Sequence, residues 1–285
     1  MIKPDAVNAA YCLDLVKASD LDRYLSTLLA NPDRQRALFA IYALDAELCG
    51  IAGQVSEPTL GEIRLQWWRD VIDDIYAGIS EHNPVARELL WVVNQCDLPK
   101  ELFFQLIDAR QSDLYQTPMQ TLQDLKNYLH NTSAIVTDLA ARILIGNDVL
   151  EIGANIEKAG FVHGLGKQLF ELPARINRKQ CFVPLELLAQ HGLNESHLLA
   201  REYSPDMQQV ISTLCQQIES RFKGLRRDQS HLEKAVLPAF YPASLATLMV
   251  KKLIADKSNP LSQSETPSQL KMQWHLLKCV LFNRL

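Results

Sequence analysis

Apolar side chains recur along this chain at a spacing near 3.6 residues, and strand-like alternation is hard to find, so the pattern predicts an all-α protein. Helices are expected over residues 20–29, 32–53, 59–76, 84–95, 99–114, 121–145 and 151–172. Short turns around 184–190 and 195–200 precede further expected helices over 205–233, 242–255 and 269–281. Proline stands at or just inside several predicted starts, after Asn31, Leu98 and Ser204. There its missing N–H removes no helical hydrogen bond. Boundaries, being set by caps more than by pattern, are the least sharp part of this reading.

Two predicted helices carry the informative polar residues. Projected at about 100° per residue, 36–54 is apolar almost all round, with Leu38, Phe39, Ile41, Tyr42, Leu44, Leu48 and Ile51. Asp45 falls among them, so its carboxylate is expected in the interior or facing an internal cavity, where it needs a partner. Asp45, Cys49 and Gly53 share one stripe, and Gly50 lies beside it. The next helix, PTLGEIRLQWWRDVIDDIYAG, has an expected apolar face of Trp67, Trp68, Val71, Ile72 and Ile75. Arg64 sits one turn before Trp68 and should meet either a buried carboxylate, Asp45 or Glu47, or the anion of a ligand. Asp70, Asp73 and Asp74 fall on the opposite, solvated face, and Arg110 in DARQSD can pair with either flanking acid. Gly160 and Gly164, around His163, mark a close helix–helix approach.

Composition narrows the function classes. The chain has 285 residues, 47% hydrophobic and 22% charged, with a net charge of -4, which fits a soluble protein with a large core. An acidic balance argues against nucleic acid as a partner. Its six scattered cysteines form no CxxC pair or metal-ligand spacing. They read as reduced thiols in a cytoplasmic protein, without disulfides or zinc. The first residues lack a targeting sequence's apolar core, and no stretch offers the roughly 18 uninterrupted apolar residues of a membrane span. A polar stretch over 256–269 reads as a linker within a single domain, 1–285. In the last helix, Leu270, Trp274, Leu277 and Leu281 form a stripe near Lys271, Lys278 and Arg284. That stripe is expected to pack onto the bundle; the sharper alternative is peripheral contact with the inner face of a membrane.

The run NPDRQRALFAIYALDAELCGIAGQVSEPTLGEIRLQWWRDVIDDIYAG resembles the squalene and phytoene synthase family. The resemblance continues through LIDARQSDL, YLHNTSAIVTDLAARILIG, KAGFVHGLGKQLFELPARINRKQCFVP and PAFYPASLA, nearly the whole chain. It implies a terpenoid-synthase-type helical bundle with a central cavity for prenyl diphosphates, whose Mg²⁺ ions are held by two aspartate-rich motifs. On this sequence the first motif's aspartates should fall at Cys49, Gly50 and Gly53. The second should lie between Gly164 and Pro184, where Glu171 stands among Lys167, Arg175, Arg178 and Lys179. Thiol and glycine are poor Mg²⁺ ligands, so no cofactor is expected, and Mg²⁺ enters only if prenyl diphosphates are still condensed. The chain looks most like the aspartate-poor branch of the family related to the mitochondrial complex I assembly factor. That likeness implies an accessory or assembly role with a protein partner in respiratory-complex assembly, and a retained site for a prenyl diphosphate or lipid-like anion. The ligand residues it suggests are Asp45, Cys49, Gly50, Gly53, Arg64, Trp68, Arg175, Arg178 and Lys179, with no catalytic residue.

Overall fold

Capping side chains set the starts of several helices in the fold. Asn31 accepts from the Asp33 N–H, Asn83 from Ala86, Thr121 from Asp124 and Ser204 from Met207. The computed structural model describes residues 6–79, 82–115, 117–255, 259–261 and 267–285. Every element among them is helical: α1 (Ala6–Ser19), α2 (Leu21–Thr27), α3 (Pro32–Gln54), α4 (Pro58–Tyr76), α5 (Pro84–Val93), α6 (Lys100–Ala109), α7 (Gln111–Leu114) and α8 (Leu122–Leu129) come first. They are followed by α9 (Ile135–Ile145), α10 (Gly153–Phe170), α11 (Leu172–Asn177), α12 (Leu185–Gln190), α13 (Glu195–Leu199), α14 (Pro205–Asp228), α15 (Leu237–Ala255) and α16 (Gln269–Leu281). Most of the expected linker, 256–258 and 262–266, lies outside the described residues. Contacts divide the chain into two compact units. Unit 1 comprises Met1–Tyr115, Ile135–Ile156 and Leu232–Tyr241; unit 2 comprises Gln116–Ala134, Glu157–His231 and Pro242–Leu285.

Unit 1 is built around α3, which is buried without interruption from Ala37 to Asp45 and again at Leu48 and Ile51. Helices α1, α4, α5 and α9 pack on it. By length and composition α3 could cross a bilayer, but it is a core helix, with 61% of its most apolar stretch buried inside the protein. Arg36 fastens it to α5 by two hydrogen bonds to the buried Glu88, at 2.7 and 2.8 Å. Helix α1 was not expected from the pattern, because its buried side is a narrow stripe of Asn8, Cys12 and Val16 with a polar residue at one end. The helix expected over 99–114 is broken at Arg110 into α6 and α7.

Unit 2 confirms the close approach expected of the α10 glycines. A Cβ on Gly160 would stand 2.3 Å from the Ala134 Cα, and one on Gly164 would stand 2.4 Å from Ser133 Oγ. Both partners lie in a π-helical turn, His130–Ala134, between α8 and α9, which interrupts the single helix expected over 121–145. Lys158 on α10 reaches Asp228 on α14 at 2.5 Å, and Arg221 covers the Phe161 ring. Helix α15 starts at Leu237, five residues earlier than expected, and carries Pro242 inside it.

Helix α16 packs with the face opposite to the one expected. Met272, Leu276 and Cys279 are buried, while Leu270, Trp274, Leu277 and Leu281 are exposed. Both faces are apolar, and the wheel cannot rank them. The inner face is selected by α15, whose Ser244 Oγ lies 2.8 Å from His275 Nε2 and 3.6 Å from Cys279 Sγ.

Candidate functional site

Asp45 is the electrostatic centre of unit 1. Its residue is 4% exposed, and its carboxylate is held between two guanidinium groups. Arg23 donates from Nη1 to Oδ2, and Arg110 donates from Nη2 to Oδ1 at 2.6 Å. Arg110 also contacts Asp113 at 3.4 Å, Arg23 lies 3.7 Å from Asp20, and the Arg23 guanidinium sits over the Tyr42 ring. Burial by itself would lower the Arg23 pKa, but Asp45 and Asp20 more than offset it and raise the pKa above the usual arginine value. Tyr42, buried in the same cluster, is pushed up by desolvation. Two cations on one carboxylate satisfy the buried charge from both sides, as a buried anion requires.

The structure therefore corrects the expected partners of Asp45. Arg64 pairs with neither Asp45 nor Glu47: it is exposed and donates to Gln54 Oε1 at 2.8 Å, and Glu47 accepts from the Tyr11 hydroxyl. The buried face of α4 is Gly61, Leu65, Trp68, Val71, Ile72 and Ile75. Arg64 was expected in the middle of that face, and by helical angle it falls between Val71 and Ile75, but about two turns nearer the helix start its long side chain turns out to Gln54. Trp67 was expected inside, but it is 40% exposed and meets the buried Trp68 edge-on. Asp70 and Asp73 do lie on the solvated face, Asp73 pairing with Lys100. Arg23 was missed altogether. The one signal for it was the demand of a buried carboxylate for a cation, which names a residue type and not a position.

Of the remaining candidates in unit 1, Cys49 is exposed with its thiol 3.7 Å from Asp45 Oδ1. Around Gly50 an added Cβ would meet only the side chain of Gln54, at 3.1 Å, so no neighbouring helix packs into that space. Gly53 is exposed. Leu60, Ile63 and Trp67 form an exposed apolar stripe on α4 beside Arg64. An open groove of about 450 Å³, which shares Ile63 with that stripe, runs between α4 and the α6–α7 segment. Of its polar groups, Arg69 pairs with Asp108, Gln111 with Glu62 and Gln66 with Asp70 outside the groove.

In unit 2, Arg175 is bound to Glu171 at 3.0 Å and stacks on Phe182 with its guanidinium carbon 4.3 Å from the ring centre. Arg178 and Lys179 are exposed where α11 ends, and Lys179 adopts a left-handed φ of 57°. These donor sets do not suit Mg²⁺, a hard ion that takes oxygen ligands. Cys49, Gly50 and Gly53 offer no carboxylate, both oxygens of Asp45 are taken by arginines, and Glu171 is paired with Arg175.

Comparison with known proteins agrees with this architecture. Residues 16–274 match the family model described as squalene/phytoene synthase. A mouse protein, NADH dehydrogenase (ubiquinone) complex I, assembly factor 6, is 30% identical over 81% of this chain and 69% of its own length. A phytoene synthase from Thermus thermophilus is 24% identical over 76% of this chain and 71% of its own. A squalene synthase from Alicyclobacillus acidocaldarius superimposes with a TM-score of 0.77 at 16% identity, over 87% of this chain and 94% of that one.

Proposed function

This chain belongs to the squalene/phytoene synthase family, and we propose that within it the protein is an accessory factor for assembly of the respiratory NADH dehydrogenase, not a prenyl diphosphate condensing enzyme. The observation that carries this reading is the state of Asp45. It is the one acid on the α3 stripe that leads to Cys49 and Gly53, and it is spent on locking α2 and the α6–α7 junction to the core. Diphosphate ionisation in this family depends on metal offsetting the charge of the leaving group. A stripe of paired carboxylate, thiol and glycine supplies no such metal site. Similarity to the mouse assembly factor supports the same assignment.

The retained ligand, in this proposal, is an amphipathic anion such as a prenyl diphosphate or a lipid headgroup with its tail. Arg64 holds the anion as a charge-assisted donor, and Leu60, Ile63 and Trp67 beside it cover part of the tail. The space left at Gly50 and Gly53 admits the headgroup close to the α3 backbone. Trp68 backs the site from the core, and Cys49 borders it.

Incubating the purified protein with farnesyl diphosphate and Mg²⁺ tests the first part. The expected outcome is no pyrophosphate release and no C30 hydrocarbon. Cells deprived of the chain should accumulate incompletely assembled NADH dehydrogenase on native gels. Robust Mg²⁺-dependent turnover would establish the alternative, an active prenyltransferase of the squalene or phytoene synthase type.

A further inference from the structure

The outer face of α16 is an apolar stripe left uncovered on a helix that is otherwise firmly seated. Leu270, Trp274, Leu277 and Leu281 are 78%, 60%, 43% and 69% exposed and recur at steps of three and four residues, so they project together. The helix beneath them is fixed. Its inner side packs through Met272, Leu276 and Cys279, and Gln229 clamps its far end by donating to the Asn283 carbonyl and accepting from the Leu285 N–H.

The charge along the segment that carries the stripe has one sign. Residues 267–285 contain Lys271, Lys278 and Arg284 and no aspartate or glutamate, although the whole chain carries a net charge of -4. Lys278 sits with Nζ 5.6 Å from the Trp274 ring centre, its stem along the apolar stripe. From neighbouring elements, Lys251 on α15 and Arg226 on α14 lie close enough to act with Lys278 on His275.

We propose that this face of α16 docks the protein on an anionic lipid bilayer, with Leu270, Trp274, Leu277 and Leu281 entering the headgroup boundary and Lys271 and Lys278 meeting the phosphates. An in-plane helix with an apolar stripe bordered by lysines, and an indole within it, has the two attractions such binding needs, apolar burial and charge. The lack of any acid on the segment selects an anionic surface over a neutral one. This inference is independent of the site on unit 1, so Arg64→Met must leave it unchanged.

The test is co-sedimentation of the full chain with phosphatidylcholine vesicles made with or without phosphatidylglycerol. Binding is expected to the anionic vesicles, with a blue shift of Trp274 fluorescence and loss at high salt. Trp274→Gln with Leu277→Gln should weaken it roughly tenfold or more, since each loses apolar burial. Lys271→Glu with Lys278→Glu, which keeps the apolar stripe, should abolish the preference for anionic vesicles, and circular dichroism checks that both variants remain folded. No sedimentation of the parent chain, or equal sedimentation of parent and variants, overturns the proposal. So does a concentration-dependent dimer that the Trp274→Gln and Leu277→Gln pair abolishes, because the face then belongs to a second copy.

Discussion

Arg110 donates from Nη2 to Asp45 Oδ1 at 2.6 Å, joining residues 65 apart in sequence and tying the α6–α7 junction to the centre of α3. Because Arg23 holds the other oxygen, removing Arg110 leaves the buried carboxylate with one guanidinium in place of two to offset its charge. Arg110→Met is expected to lower stability by about 3–5 kcal/mol, the usual cost of breaking a buried pair from one side. Urea denaturation measures it, and a loss below about 1 kcal/mol would show that the anchor is dispensable.

The glycines of α3 and α10 should respond in opposite ways to the same added methyl group. At Gly160 the new Cβ would meet backbone, the Ala134 Cα at 2.3 Å, which cannot move without shifting the π-helical turn. Gly160→Ala should therefore cost about 1–3 kcal/mol or more. At Gly50 the neighbour is the end of the exposed Gln54 side chain, which can swing away. Gly50→Ala should stabilise by about 0.5–1 kcal/mol, through helix propensity. Thermal melts of the two variants should diverge in sign.

Arg64 is exposed and makes its hydrogen bond to the neutral Gln54, so the fold does not depend on its charge. Arg64→Met should leave the melting temperature within a degree or two, corresponding to about 0.5 kcal/mol or less. In calorimetric titration with farnesyl diphosphate, the same variant should lose roughly tenfold in affinity, about 1.4 kcal/mol. Unchanged affinity would remove Arg64 from the ligand site.

His275 gives stability a dependence on pH. Its pKa is lowered from 6.5 by burial first, then by Lys251, Lys278 and Arg226. With the folded pKa below the unfolded one, the unfolded chain binds the extra proton first as pH falls. Stability should accordingly decline from about pH 6.5 downward, until the folded-state group also titrates. His275→Gln can keep the contact with Ser244 and removes the titration. Its melting temperature should be flatter than that of the parent between about pH 6.5 and 5, before most carboxylates titrate.

The interior position of Asp45 was legible because Leu38, Ile41 and Tyr42 surround it on the helical wheel, so its carboxylate falls on a buried side of α3. Its partners were not, since Arg23 and Arg110 are brought in by folding from 22 and 65 residues away and neither stands in a periodic pattern. The glycine contact of α10 was legible for a different reason: small residues four apart on one helix face have few uses besides close approach. The orientation of α16 was not, because periodicity reports that a helix has an apolar stripe and stays silent on which of two stripes finds a neighbour. Arg64 shows a related limit on α4, where a residue whose helical angle matches the buried face lies in the first turns of the helix and reaches outward along its long stem.

Cysteine reactivity offers a last check on the site, because the thiols differ in environment. Cys12, Cys181 and Cys215 are buried, and desolvation pushes each of them up to about 12, so at pH 8 they are overwhelmingly protonated as well as shielded. Cys279 is buried and raised in the same direction by the same cause, while Cys96 is half-buried and also raised. Cys49 stands apart as the exposed thiol, on the helical turn after Asp45. Alkylation needs both access and thiolate, so brief treatment of the native protein with iodoacetamide should modify Cys49 first. Peptide mass spectrometry should find the buried four modified only after denaturation. A saturating amphipathic anion such as farnesyl diphosphate should slow modification of Cys49 if the headgroup lies beside Gly50 and Gly53, and Arg64→Met should remove that protection. Labelling of Cys49 at an unchanged rate in the saturated parent protein would place the ligand elsewhere.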